Sequence, residues 1–220
     1  MSLHSALVAS PVRQTASERW LWKLLRPVER IVSLFSLVLL APVLLLTGAA
    51  IVVLSGRSPW VAHLRLGQYG APFWTLKFRT MWAGWSAHVA LIEYIVDDSG
   101  PEYKNSDDPR VTSAFARFCR RFSMDEIPQL VNVLRGEMSL VAPRPLTETE
   151  LKKYYGFDAE EVLSVKPGIT GMWQVMGRSR LTYEQRREMD LFLVRNYSLK
   201  LYLAILLRTL PAVLKGKDGW

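Results

Sequence analysis

From Ile31 to Leu54 the chain runs for 24 residues without a charged side chain. At about 1.5 Å per residue, a helix of that length reaches across a hydrocarbon core about 30 Å thick. No other stretch limits the fold as strongly, because such a run must lie in lipid or be covered on all sides. Residues 18–30, Glu-Arg-Trp-Leu-Trp-Lys-Leu-Leu-Arg-Pro-Val-Glu-Arg, mix tryptophan, leucine and cations as interfacial segments do. The basic lead is long and the apolar run exceeds a usual signal-peptide core, which disfavours a cleaved signal. Residues 1–17 are small and polar and are expected to be disordered.

Two features disagree with a plain spanning helix. Pro42, preceded by Ala41, sits in the middle of the run, where it removes a helical hydrogen bond and kinks the chain. Cations also flank both ends: Arg13, Arg19, Lys23, Arg26 and Arg30 before it, Arg57, Arg65, Lys77 and Arg79 after it. The positive-inside rule asks for cations on one side only. A kinked span and a re-entrant helix, bent at Ala41-Pro42 and returning to the leaflet it entered, both remain open from pattern alone.

The whole chain has 220 residues and a net charge of +8, enough for one domain plus an accessory element. Nucleic acid, anionic lipid and phosphate substrates would each suit that charge. Nucleic acid fits worst, because the basic residues surround an apolar run and no known binding motif is present. The single cysteine, Cys119, excludes an internal disulfide and reads as inert packing. His4, His63 and His88 are scattered, which argues against a histidine-built metal site or triad. No Walker-type or dinucleotide-binding glycine loop occurs.

After the apolar run, Arg65-x-Gly67 and Gly70 to Met81 read as a turn and a short strand, with Lys77 and Arg79 on one face. Residues 82–109 have weak periodicity and end in Asn-Ser-Asp-Asp-Pro, which suggests a helix of uncertain length and then a loop. Ala114 to Phe122 looks helical. It leads into Ser123-Met-Asp-Glu-Ile-Pro-Gln-Leu130, where Ser123 and Glu126 have capping-box spacing. Capping alone would explain the two acids, since a helix N-terminus favours negative charge. The same placement, with Arg120 and Arg121 close upstream, favours an anionic Asp125. Such a carboxylate can attack phosphorus or bind Mg²⁺. Pro128, just beyond, is a local flaw in a helix.

Gly136 then reads as a helix stop. Arg144 stands between Pro143 and Pro145, so its direction is restricted, which suits a preorganised phosphate contact. Lys166 to Arg180 is rich in glycine and cations, with Arg178 and Arg180 after Gly177. Residues 183–195 read as a polar helix. Leu199 to Leu214 is apolar but holds Lys200 and Arg208, which fits an interfacial or core helix better than a span.

These motifs together resemble the bacterial sugar transferases, the monotopic phosphoglycosyl transferases that act on polyprenyl phosphate. The runs that carry the resemblance are Lys77-Phe-Arg-Thr-Met81, Asp108-Pro-Arg-Val-Thr112, Ser123 to Leu130, Asn132-Val-Leu-Arg-Gly136 and Met138 to Pro145, followed by Lys166 to Gly171, Trp173-Gln174 and Gly177-Arg178. They occur in family order and span nearly all of residues 20–220. The resemblance implies transfer of a sugar 1-phosphate from a UDP-sugar to undecaprenyl phosphate with release of UMP. Asp125 would be the nucleophile and a Mg²⁺ contact, and Glu126 its partner acid. Arg120, Arg144 and Arg178 would bind phosphate, with Lys77 and Arg79 as further cations. A re-entrant helix broken at Pro42 belongs to the same pattern.

The implied fold is α+β and mainly helical. Residues 18–57 would form an interfacial and re-entrant membrane element. Residues 58–220 would form a compact catalytic domain with a small β element and an interfacial C-terminal helix, on the cytoplasmic face of a bacterial inner membrane. Its partners would be the UDP-sugar, undecaprenyl phosphate and the bilayer, with no nucleic acid. A homodimer is compatible with a tryptophan-rich surface. Four departures stand out: Ala41 where serine is frequent, Ser33 and Tyr202 where aspartate is usual, and Ala142 where glycine is usual. The alternative reading is a non-catalytic membrane adaptor of a polysaccharide assembly complex. The sugar itself is not legible.

Overall fold

The computed structural model describes residues 16–82, 91–96 and 110–216. Residues 1–15 of the 1–17 segment expected to be disordered, most of the 82–109 segment (Asp108 included) and the last four residues lie outside the described residues, while Ala16 and Ser17 are helical.

The apolar run forms most of one long helix, α1 (Ala16–Ser55), which contains both Pro27 and Pro42. Helical structure continues through the Ala41-Pro42 step, so the proline removes one hydrogen bond there without ending the helix. Residues 24–55 are long and apolar enough to cross a membrane by length and composition. Burial recurs every three or four residues, full at Glu29, Ser33, Thr47, Gly48 and Ile51 and partial between them at Ser36, Leu37, Leu40, Ala41 and Leu44, as expected for one helical face laid on a surface. The opposite face exposes Leu34, Val38, Leu45, Leu46 and Val53, among others.

Strands β1 (Trp60–Leu66) and β2 (Pro72–Phe78) form an antiparallel hairpin with Trp60 opposite Phe78 and Leu66 opposite Pro72. Strand β3 (Ile92–Ile95) pairs in parallel on the other side of β1. The strand expected after Gly70 is present. β1 was not expected, and the described part of the expected 82–109 helix is β3. Four residues between undescribed stretches carry too little periodicity to separate strand from helix. The free edge of β2 is met by a side chain. Asn132 accepts from the Leu76 N–H at 3.1 Å and donates to the Trp74 carbonyl at 2.7 Å, doing the work of a neighbouring strand. Asn132 is fully buried and also donates to Glu137 at 2.7 Å, so this contact fixes α3 (Leu130–Arg135) against the hairpin.

A parallel pair, β4 (Ser139–Val141) and β5 (Gly168–Thr170), lies beside α3. Glycine is required at 168, because a Cβ there would come within 2.2 Å of the Ala142 nitrogen. Ala142, with its extra methyl, is nonetheless seated: it is buried, and its N–H donates to the Thr170 carbonyl at 2.9 Å. Helices α2 (Ala114–Arg121), α4 (Met172–Met176), α5 (Tyr183–Arg195) and α6 (Leu199–Lys215) complete the packing, together with short turns over residues 148–162. Val141, Leu193, Tyr197, Tyr202 and Ile205 form one core cluster; Leu146, Leu151, Tyr155, Val162 and Leu191 form another. α6 buries Tyr202 and Ile205 but exposes Leu203, Leu207, Leu210 and Leu214. It is a core helix on one face and has the apolar outer face expected of an interfacial one.

Among the contacts between the long helix and this body, one is a buried polar tie. The buried Glu29 Oε1 accepts from the Ser139 hydroxyl at 2.5 Å, the Leu140 N–H at 2.9 Å and the Tyr202 hydroxyl at 2.8 Å. Tyr202 therefore has a clear role at a position where the resemblance leads one to expect aspartate: its hydroxyl donates to Glu29, where a second carboxylate would repel.

Tyr202→Phe should destabilise the protein by about 1.5–3 kcal/mol, the usual range for a hydrogen bond to a charged group. Glu29→Ala should cost more, because Ser139 and Leu140 then lose their acceptor. Unfolding midpoints in lipid particles would show this; unchanged midpoints in both variants would mean that Glu29 is not a structural tie.

Candidate active site

The acidic pair sits in a tight turn. Residues Met124–Gln129 form 3₁₀ turns, and the regular helix begins only at Leu130. The capping box expected at Ser123 and Glu126 is not formed: Ser123 is left-handed (φ 53°) and its side chain makes no cap bond. Pro128 contributes to this. It lacks the N–H that would bond the carbonyl four residues back and its ring crowds that carbonyl, which disfavours an α-helix starting at Ser123 and favours the tighter winding seen before the proline is passed. The Ser123 hydroxyl instead accepts from Arg178 Nη2 at 2.9 Å. Arg178 is itself left-handed at φ 51°, so two strained residues meet across this contact. The helix stop read at Gly136 is present, with φ 82° at the C-cap.

Glu126 faces the body of the domain. Its Oε1 accepts from Arg144 Nη2 at 2.6 Å and from Lys77 Nζ at 3.3 Å. Lys77 is delivered by β2, and Arg144 by the Pro-Arg-Pro segment that continues β4. Burial pushes the Lys77 pKa down, and Arg144 adds to this, while Glu126 and Asp125 act against it. At Arg144, burial opposes the charge, but Glu126 outweighs it and the pKa is raised.

Asp125 is half-buried and lies in the field of the same two cations. Its charge is also felt on α2. Together with burial, which is the larger cause, Asp125 pushes the Cys119 thiol up to about 12. Cys119 is therefore a packed, unreactive thiol, as its sequence context suggests. Arg120, on the same helix, is buried and donates to the Thr80 hydroxyl at 3.5 Å.

The structure thus brings together Lys77, Asp125, Glu126 and Arg144, with Arg178 reaching the same turn through Ser123. Arg79 is turned elsewhere: it pairs with Glu93 at 2.5 Å and donates to the Ser58 carbonyl at 2.8 Å, which ties β3 to the start of β1.

Sequence reading missed a second layer. Asp190 on α5 is fully buried and accepts from the Tyr155 hydroxyl at 2.7 Å. Burial raises its pKa to about 7; Tyr155, Arg144, Arg186 and Trp173 oppose that rise without cancelling it. An aspartate in a polar-looking helix gave no hint of this depth. Among the described residues no group of three or more histidine, cysteine or carboxylate side chains could hold a metal by itself. With Glu126 bound to two cations, Asp125 is the carboxylate suited to share a hard cation with substrate phosphates, which is the usual way Mg²⁺ is bound.

Comparison with known proteins bears on this geometry. The bacterial sugar transferase profile matches residues 20–216. A UDP-galactose-lipid carrier transferase from Erwinia amylovora is 43% identical over 170 residues, which is 74% of this chain but only 35% of that protein. The exopolysaccharide production protein ExoY of Sinorhizobium fredii is 38% identical over 201 residues, covering 89% of this chain and 87% of its own. A UDP-glucose:undecaprenyl-phosphate glucose-1-phosphate transferase from Caulobacter vibrioides is 37% identical over 192 residues, with 83% and 66% covered. The chain therefore spans about a third of the Erwinia protein and most of the Sinorhizobium one.

The raised Asp190 pKa makes stability depend on pH. The folded state keeps a proton that the unfolded chain, with a carboxyl near 3.8, has released. The contribution of Asp190 to stability therefore falls as pH rises from 3.8 to about 7 and is level above that. Asp190→Asn has no such proton to lose, so its midpoint should climb relative to wild type across that window. Parallel curves would show that Asp190 titrates normally.

Proposed function

The chain belongs to the bacterial sugar transferase family, and from that premise we propose that it moves a sugar 1-phosphate from a UDP-sugar to undecaprenyl phosphate at a membrane surface. The observation that carries this reading is the division between the two acids. Glu126 is held by Lys77 and Arg144, and Asp125, one residue earlier, shares their field. The names of the Erwinia and Caulobacter relatives, a UDP-galactose-lipid carrier transferase and a UDP-glucose:undecaprenyl-phosphate glucose-1-phosphate transferase, support the substrate classes.

In the proposed reaction an oxygen of Asp125 attacks the phosphorus that carries the sugar. The bond from that phosphorus to the UMP oxygen breaks, and UMP leaves with the electron pair. A phosphate oxygen of the lipid then attacks the same phosphorus. The bond to Asp125 breaks, which restores the carboxylate and yields a lipid-diphosphate sugar. One phosphoanhydride is exchanged for another, so no outside energy source is needed. The difficulty is repulsion between anions, which Lys77, Arg144 and Arg178 offset with fixed positive charge. Mg²⁺, held by Asp125 and the substrate phosphates, would supply further positive charge there.

The membrane arrangement is part of the proposal. From Glu29 to Gly48 an ideal helix rises about 28 Å, close to the hydrocarbon thickness of about 30 Å. Yet Glu29 rests on β4 and α6, while Gly48 rests against Phe78 and Pro59 of the same domain. A straight span would carry one of these contacts to the far side of the bilayer. Contact at both ends supports a re-entrant element over residues 18–57, with residues 58–220 as the catalytic domain on the cytoplasmic face of the inner membrane.

UMP release by purified protein with undecaprenyl phosphate, Mg²⁺ and a panel of UDP-sugars should occur with at least one donor. Asp125→Asn should abolish it while leaving the fold intact. No release by folded wild type with any donor would favour the adaptor reading. For topology, cysteines introduced at Ser17 and Arg57 should both be labelled only from the cytoplasmic side. Labelling of one of them from outside would establish a span instead.

A further inference from the structure

Beyond the acids, cations and aromatic rings alternate in one continuous stack. Lys153 Nζ lies 5.3 Å from the Tyr154 ring, and Tyr154 stacks on Tyr183 with centroids 3.9 Å apart and planes 4° from parallel. The Arg186 guanidinium lies 5.0 Å from the Tyr183 ring and 4.8 Å from the Trp173 ring. Arg144 is 6.0 Å from the Trp173 ring, and its Nη2 bonds Glu126. The stack thus runs from exposed Lys153 to the catalytic acid pair, and Arg186 is its central cation.

Arg186 is placed unlike a structural arginine. Two rings hold its guanidinium, so its direction is fixed by faces rather than by an acid. Its donors are little used: Nη2 reaches the Arg178 carbonyl only at 3.5 Å, and Nε is buried with no partner. Among the described residues no carboxylate lies within ion-pair distance of it. Glu150 and Asp190 act on it only through their fields, and Glu150 is already engaged by the Thr147 cap and by Arg65 at 3.8 Å. Asp190, on the same helix, is bonded to Tyr155. Burial works against the Arg186 charge, and Arg144 adds to that. A half-buried, oriented cation without a counter-ion, next to two other arginines, suits an anion that arrives with the substrate.

We infer that Arg186, held between Trp173 and Tyr183, is a diphosphate-binding residue for the nucleotide donor, acting beside Arg144 and Arg178. The inference rests on the proposed UDP-sugar donor and adds a contact to it. The planar guanidinium offers its edge N–H groups in the direction set by the two rings, where a point charge on a flexible stem could not be held. A lysine at this position should therefore fail almost as badly as a neutral residue.

UDP and uridine binding, measured by calorimetry on the full chain in lipid particles, tests this without knowledge of the sugar. Wild type should bind UDP. Arg186→Lys and Arg186→Gln should each weaken UDP binding by about tenfold or more, the loss of one charged hydrogen bond. Uridine, which lacks phosphate, should bind all three proteins alike. Unchanged unfolding midpoints would confirm that the variants fold, and where Arg186→Gln does not fold, Arg186→Lys alone decides. Equal UDP affinity in wild type and a folded variant overturns the inference and leaves the transferase reading standing. Equal loss of uridine and UDP binding overturns it too, as damage to the site in general. If wild type neither binds UDP nor releases UMP from any donor, both readings fail together.

Discussion

One oxygen, Oε1 of Glu29, makes the buried polar tie between the membrane element and the rest of the molecule. A carboxylate withdrawn from water is costly unless its lone pairs are used, and a charge left without a partner costs more still. Here three donors converge on it, two from β4 and one from α6. The Leu140 N–H lies on the edge of β4 that faces away from β5, because Ser139 and Val141 are the residues in register with that strand. Glu29 therefore finishes a two-stranded sheet that is too small to stand alone. The long helix and the parallel pair each lack something the other supplies.

The consequence reaches the reacting groups because β4 runs into Pro143-Arg144-Pro145. From Leu140 to Arg144 is four residues, constrained by two prolines and by the bonds from Ala142 to Thr170 and from Gly168 to Pro143. β2 is held in a similar manner: Asn132 fixes its outer edge, and one residue past that contact Lys77 turns to Glu126. The two cations that grip Glu126 thus come from two separate sheets, each braced by a polar side chain rather than by another strand. Asn132 and Glu29 are buried polar groups whose bonds set position, and position is what an electrostatic site requires.

Much of this was legible in the sequence. The charge-free run, the glycine stop at 136, the helices at 114–121 and 183–195, and the half-apolar last helix all follow local rules that survive in the fold. Lys77, the acid pair and Arg144 were marked by motif and are found together. What was not legible depends on contacts distant in sequence. β1 was hidden because a strand at the middle of a sheet shows no simple alternation. Glu29 looked like one charge among several at a helix entry, and its partners lie more than a hundred residues away. The capping-box spacing at Ser123 and Glu126 misled because a proline two residues past Glu126 weakens the α-helix that such a box would start, and Ser123 is left-handed. Tyr202 looked like a lost aspartate until Glu29 was found facing it.

That proline also bears on why two adjacent acids can do different work. In an α-helix successive side chains are about 100° apart, and in a 3₁₀ turn about 120°. The tighter winding spaces the two side chains further around the turn: Glu126 bonds Lys77 and Arg144, and Asp125 acts on those cations through its field and on Cys119 of α2 as well. Two carboxylates forced into one pocket would have to share a proton or repel. Divergence removes that conflict. One acid can stay bound to cations throughout, fixing their geometry, while the other accepts and releases a phosphoryl group. On this view Pro128, which looks like a defect beside an otherwise regular helix, creates the asymmetry on which the proposed chemistry depends.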